Sequence, residues 1–318
     1  MRTAIVGLCA LVVAAPALAQ PKKPAAAPPP PPAQAAENPN ADVAFGAFQR
    51  GHYLTAFAEA TKRAQNDPAA MTLLGELYAQ GFGVPQDDKK AADWYKLAAD
   101  HGNADAMFAL AMFNLQGRGG PRNADEAARL LAAAAKLGHA AAAYDLGLLY
   151  LQGQQFPQDF KRAAELFAQA ATAGNSEAQY ALATMYKEGR GVPKDIDKAT
   201  QLMGLASVAG NIDAMVEYAI AEFNGTGVAK DEAAAARLLL VAARRGSAIA
   251  QDRLARVLMA GRGLPANPTE AIKWHLISKA AGGSDPDLDA YAAKQPQAAR
   301  DAAEKAAQKW MSTLRPRS

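Results

Sequence analysis

The sequence predicts an all-α fold, a solenoid of stacked antiparallel helix pairs repeated every 36 residues. Three observations carry this. Glycine recurs at Gly81, Gly117, Gly153, Gly189, Gly225 and Gly261, and again at Gly102, Gly138, Gly174, Gly210, Gly246 and Gly282. Ala70, Ala106, Ala142, Ala178, Ala214 and Ala250 keep the same phase, as do Asp87, Asn123, Asp159, Asp195, Asp231 and Asn267. Alanine, a good helix former and a poor strand former, is abundant, whereas aromatics make up only 7% of the chain. A length of 318 residues would otherwise suggest about two domains of ~150 residues. Six units in register replace that count with a tandem repeat.

Residues 1–19 have the three parts of a secretory leader: Arg2, an apolar run from Ala4 to Ala15, and the small-residue site Ala17-Leu18-Ala19. Cleavage before Gln20 is expected. A retained anchor is the alternative, but the run falls short of the ~20 residues that a bilayer span needs. Cys9 is the only cysteine, and Leu8 before it is too large for a lipidation signal. The mature chain is then exported, soluble and free of cysteine, which excludes a disulfide scaffold. Residues 20–40 contain five consecutive prolines, Pro28 to Pro32, which favour an extended spacer. Docking of a proline-binding module there, or tethering through Lys22 and Lys23 to an anionic surface, is the alternative.

Residues 41–69 read as a short helical pair, with Gly51-His52-Tyr53 as the turn and Phe45, Phe48 and Phe57 as apolar packing. Residues 70–285 hold the six units, each of two helices. The first helix of the first unit, Ala70 to Gln80, carries Ala70, Leu74, Leu77 and Tyr78 on one stripe. Gly81 ends it, because glycine accepts a left-handed cap. Gly81-Phe82-Gly83-Val84-Pro85 turns the chain, and the Asp87 side chain is placed to cap the next helix. That helix, from about Asp88 to Asp100, is expected to bury Ala91, Trp94, Leu97 and Ala98. Gly75 and Gly147, with Ala111, Ala183, Ala219 and Ala255, keep one position small so that paired helices approach closely. After Asp285 the period stops. Within 286–318, Gln297 to Leu314 reads as a C-terminal capping helix bearing Trp310, Met311 and Leu314, with docking on a partner as the alternative.

Leu74-Gly75, Tyr78, Gly81-Phe82-Gly83-Val84, Asp87, Lys90-Ala91, Trp94-Tyr95, Ala98-Ala99 and Gly102 closely resemble the Sel1-like repeat, a relative of the tetratricopeptide repeat. The fourth unit fits too, at Tyr186, Gly189-Arg190-Gly191-Val192, Asp195, Lys198-Ala199 and Gly210. Asn114 and Glu222 replace the tyrosine, and Gln155 the second glycine, so those units are expected to be looser. The resemblance implies a right-handed curved solenoid whose first helices line the concave surface. Family members are often adaptors in signalling or envelope assembly. Together with the leader, this implies a periplasmic protein of a Gram-negative cell. Some cysteine-rich members of the wider family are linked to β-lactam binding or hydrolysis; this chain lacks their paired cysteines and the serine motifs of such enzymes.

The composition narrows function further. Lys and Arg number 34 against 31 Asp and Glu, a net charge of +3, which leaves no surplus for nucleic acid. His52, His101, His139 and His275 have no ligand spacing, and neither a G-x-S-x-G elbow nor an H-E-x-x-H motif occurs. Gly117-Arg118-Gly119-Gly120 follows a helix and lacks a Gly-Lys-Ser/Thr ending, so it is a turn and no phosphate cradle. No cofactor, metal or catalytic residue is expected, and no membrane insertion of the mature chain.

The better clue lies on the first helices, on a second stripe about 180° from the core stripe at about 100° per residue. It comprises Phe108, Met112 and Leu115; Tyr144, Leu148 and Leu151; Tyr180, Thr184 and Lys187; and Val216, Ile220 and Phe223. Either curvature buries these residues as additional core, or they form a groove for a peptide or helix. The function expected is that of a non-enzymatic adaptor holding an envelope protein or peptide segment in this groove. The alternatives are a periplasmic enzyme acting on cell-wall material through groove carboxylates, and a purely structural spacer.

Overall fold

The computed structural model describes residues 43–153 and 156–314. The leader, Cys9, the proline-rich segment and Gln155 lie outside the described residues. Among those described there are sixteen α-helices and no strand. A short pair, α1 (Val43–Gln49) and α2 (Tyr53–Arg63), comes first. Six pairs of 13-residue helices follow: α3 (Pro68–Gln80) with α4 (Asp88–Asp100), α5 (Ala104–Gln116) with α6 (Ala124–Lys136), and α7 (Ala140–Gln152) with α8 (Phe160–Thr172). The remaining three are α9 (Ser176–Glu188) with α10 (Ile196–Val208), α11 (Ile212–Asn224) with α12 (Glu232–Arg244), and α13 (Ala248–Ala260) with α14 (Pro268–Ala280). The chain closes with α15 (Pro286–Ala293) and α16 (Gln297–Leu314). From α1 to α15 each helix packs on its sequence neighbour, and α16 packs on α14. This is an all-α solenoid of consecutively stacked pairs.

Side chains start every helix of the six pairs. Asp87, Asn123, Asp159, Asp195, Asp231 and Asn267 each accept a hydrogen bond from the backbone N–H three residues on, as the sequence led us to expect. A second series does the same for the first helices: Asp67, Asn103, His139, Asn175, Asn211 and Ser247. Each such cap contributes about 1 kcal/mol. The first helices end at Gly81 and its periodic equivalents, all left-handed with φ between 67° and 74°.

Stacking is set at the connectors. Gly119 lies so close to the preceding unit that a Cβ would stand 2.5 Å from the Asp88 carbonyl oxygen, and Gly191 and Gly263 meet the Phe160 and Glu232 carbonyls in the same way. The residue before each glycine clasps the first residue of that same neighbouring helix. Arg118 pairs with Asp88 at 2.6 Å, Arg262 pairs with Glu232 at 2.5 Å, and Arg190 lies 4.8 Å over the Phe160 ring. Hydrogen bonding from Arg118 lowers the pKa of Asp88.

The second helix buries a different set from the one expected. Ala91 and Ala98 are fully enclosed, but Leu97 is 40% exposed and Trp94 only half-buried. Tyr95 is buried instead. The inward stripe is therefore Ala91, Tyr95 and Ala98, an i, i+4, i+7 series. The Tyr95 ring lies over Gly75 and edge-on to Phe113 at 5.3 Å, and its hydroxyl donates to Glu76 at 2.9 Å. In the first pair, Phe45 is half exposed, and Ala44, Ala47, Ala56 and Ala60 form the inside. Small side chains let these two short helices close on each other.

Beyond the sixth pair there is one helix more than expected. Asp285, itself buried, caps α15 by accepting from the Asp287 and Leu288 N–H groups, and Arg256 binds it at 2.6 Å. α16 then covers α14, with Trp310 edge-on to Trp274 at 5.7 Å. Its effect is visible at one register position. Ile277 beneath it is 3% exposed, whereas the equivalent Leu205 and Val241 are 57% and 45% exposed. The Leu314 side chain lies outside the described residues. Among the described residues no helix is long and apolar enough to cross a membrane.

Candidate functional site

The first helices, α5, α7, α9 and α11, carry the second stripe three, seven and ten positions into each unit. Most of these side chains are half-buried. Phe108, Met112, Leu115, Tyr144, Leu148 and Leu151 pack sideways against the core running from α5 to α9, and each keeps part of its surface free. Val216 differs: at 4% exposure it belongs to the core. Lys187 is exposed and pairs with Glu217 at 2.7 Å.

Four of the twelve converge. Tyr144 and Leu151 from α7, with Tyr180 and Thr184 from α9, line one cavity of 390 Å³ that reaches Phe167 of α8. Its wall also carries charge, with Glu177, Glu188 and Asp213 against the single lining cation Arg190, which pairs with Glu188 at 3.2 Å. Burial, and then Asp145 and Glu177, raises the Tyr144 pKa; burial, and then Glu217 and Asp213, raises that of Tyr180. Further along, Lys187 and Ile220 line a 210 Å³ cavity with Met203. Ile220 and Phe223 line a third, of 300 Å³, together with Arg253, Arg256 and Arg262. The Arg262 guanidinium lies 4.4 Å over the Phe223 ring.

Phe108, Met112, Leu115 and Leu148 line none of these three cavities. Phe108 instead stacks on the His139 imidazole at 4.7 Å. His139 Nδ1 accepts from the Ala142 N–H at 3.0 Å, so the proton resides on Nε2, which faces Asp105 at 3.4 Å. This histidine is a helix cap. His275 is buried, with Nε2 2.8 Å from Asp289, which also accepts from Lys279. Among the described residues no three His, Cys, Asp or Glu side chains converge as metal ligands.

Sequence reasoning missed the acidic wall. Glu177 and Asp213 stand on the first turns of α9 and α11, one position before the alanine that opens each unit, and Asp105 holds that position on α5. Their spacing by multiples of 36 residues, interrupted only at Ala141, was the available signal. Phe167 comes from a second helix, which a stripe drawn on the first helices cannot reach.

Comparison with known proteins agrees with this architecture. The sequence profile described as the Sel1 repeat matches residues 68–103, 104–139, 140–175, 176–211, 212–247 and 248–283. The fold is similar to that of a Sel1 repeat protein from Oxalobacter formigenes, with a TM-score of 0.64 and 27% identity, covering 81% of this chain and 100% of that one. It is also similar to a protective antigen of uropathogenic Escherichia coli strains that displays an SLR fold. There the TM-score is 0.53 at 23% identity, over 84% of this chain and 68% of the other. No protein with a curated description matches the sequence.

Proposed function

The chain belongs to the Sel1 repeat family, whose fold generally mediates protein–protein interaction, and from that premise we propose that the face of α7, α9 and α11 holds a partner protein or an exposed segment of one. Sel1 repeat proteins are typically non-catalytic scaffolds, and holding a partner in this way needs no chemical step. The observation that carries this reading is the 390 Å³ cavity, where aromatic and aliphatic side chains of two adjacent units meet. A face that only met solvent would be polar throughout. Half-exposed tyrosine and leucine instead give a rigid apolar surface for another chain to bury. We further propose that the chain works in the periplasm of a Gram-negative cell, with its partner among envelope proteins; the leader-like residues 1–19 and the likeness to bacterial Sel1 repeat proteins support this reading.

A photo-crosslinking residue at Tyr180, in intact cells, tests the binding reading. A discrete adduct is expected, lost on Leu151→Ser in a protein of unchanged melting temperature. A crosslinker at Arg129, exposed on α6, serves as control. The same adducts from both sites, or none from Tyr180, would remove the reading. Osmotic shock tests the compartment: the chain should be released with Gln20 at its N-terminus.

A further inference from the structure

We infer that the cavity between Tyr144 and Tyr180 receives the cationic side chain of a lysine or arginine in the partner peptide. This rests on the reading of the face as a peptide-binding surface and adds the chemistry of its occupant. At 390 Å³ the cavity falls within the roughly 300–1,000 Å³ range of ligand pockets. Its floor and sides are apolar, from Leu151, Phe167 and Met185, which suits the methylene stem of a long basic side chain. Two tyrosine rings line it, and aromatic rings attract cations.

The charge around the rings is of the complementary sign. Glu177 and Asp213 line the cavity, and the Asp213 side chain makes no hydrogen bond or ion pair among the described residues. The only cation present, Arg190, is committed to Glu188 and to the Phe160 ring. Neither tyrosine hydroxyl makes a hydrogen bond among the described residues. A basic side chain entering this space would meet the Glu177 and Asp213 carboxylates, neither of which has an ion-pair partner among the described residues.

A peptide suits the site better than a free amine. The apolar hollows continue on α11, where Ile220 lines two successive cavities, so the residues flanking the cation have surface to bury. The third cavity is lined by Arg253 and by Arg256 and Arg262, which are paired with Asp285 and Glu232. No carboxylate lines it, so a second basic residue would find no partner there. The partner segment is therefore one with a basic residue set among apolar ones.

The test screens the full chain against a bead-bound octapeptide library, then resynthesises the best binder with its basic residue replaced by norleucine. Lysine or arginine should be enriched at one position, and the norleucine peptide should bind about tenfold more weakly, equivalent to ~1.4 kcal/mol. Tyr180→Phe should keep most of the binding and Tyr180→Leu lose it. Asp213→Asn should weaken binding and flatten its dependence on salt, with thermal melting confirming that each variant is folded. Equal binding of the norleucine peptide would overturn the inference and leave the groove reading standing. Full displacement by 1,5-diaminopentane at the peptide's own concentration would also overturn it, in favour of a small amine. Binding of no peptide at all would overturn both.

Discussion

The ring of Phe167 fills the space that a side chain at position 147 would need: a Cβ on Gly147 would stand 2.7 Å from Phe167 Cε1. Gly75 and Tyr95 repeat the relationship at 2.6 Å. In the other four units the two register positions hold Ala111 with Leu131, Ala183 with Met203, Ala219 with Leu239, and Ala255 with His275, whose five-membered ring is smaller than that of Phe or Tyr. A large ring on the second helix goes with glycine on the first, and a smaller side chain with alanine.

This pairing makes stability at the two positions interdependent. Gly147→Ala should cost about 1–3 kcal/mol by overpacking. Combined with Phe167→Leu, the loss should be smaller than the sum of the two single losses, because leucine restores the room that the methyl takes. Urea denaturation of the four proteins measures the coupling; strict additivity would show that the ring can move aside freely.

Gln251 is 2% exposed; its Nε2 donates to the Ala243 carbonyl at 3.1 Å, and its Oε1 has no partner. Met71, Met107 and Met215 occupy the same register position. Gln251→Met should therefore raise stability by about 1 kcal/mol by removing the unsatisfied acceptor. The Ala243 carbonyl still accepts from the Gly246 N–H. A rise of about 2–4 °C in thermal midpoint is expected, and a fall would contradict the assignment.

Hydrogen bonds from Arg262 and then Lys230 hold the Glu232 pKa down to about 2, below its ordinary 4.5. A depressed folded value means that the stabilisation is complete above pH 4.5 and is lost as pH falls through about 2. The difference in urea midpoint between the natural chain and Glu232→Gln should be widest at pH 6 and shrink toward zero at pH 2. A difference that stays constant with pH would mean that the clasp between these units does not depend on charge.

The repeat was legible because its signals are local. A glycine at a left-handed position and an Asx residue at a cap each act within a few residues, and the period displays them six times. The caps of the first helices escaped notice because four residue types, Asp, Asn, His and Ser, share the role. Trp94 and Leu97 were placed inside because hydrophobicity does not say which of two adjacent aromatic residues faces the neighbouring helix; the space over Gly75 decides for Tyr95. The stripe of Tyr144 and Tyr180 follows from helix geometry alone, but the acidic wall beside it is assembled from α9 and α11 together.

The connectors at Gly119, Gly191 and Gly263 each meet the unit before them through one glycine and one clasping residue. A joint of this kind is indifferent to how many others precede it. Duplicating or deleting a whole module rebuilds the same joint, whereas one inserted residue in a connector breaks it. The number of modules is thus free to vary where the spacing within each is not, and recombination has in this fold a ready means of lengthening or shortening a recognition surface.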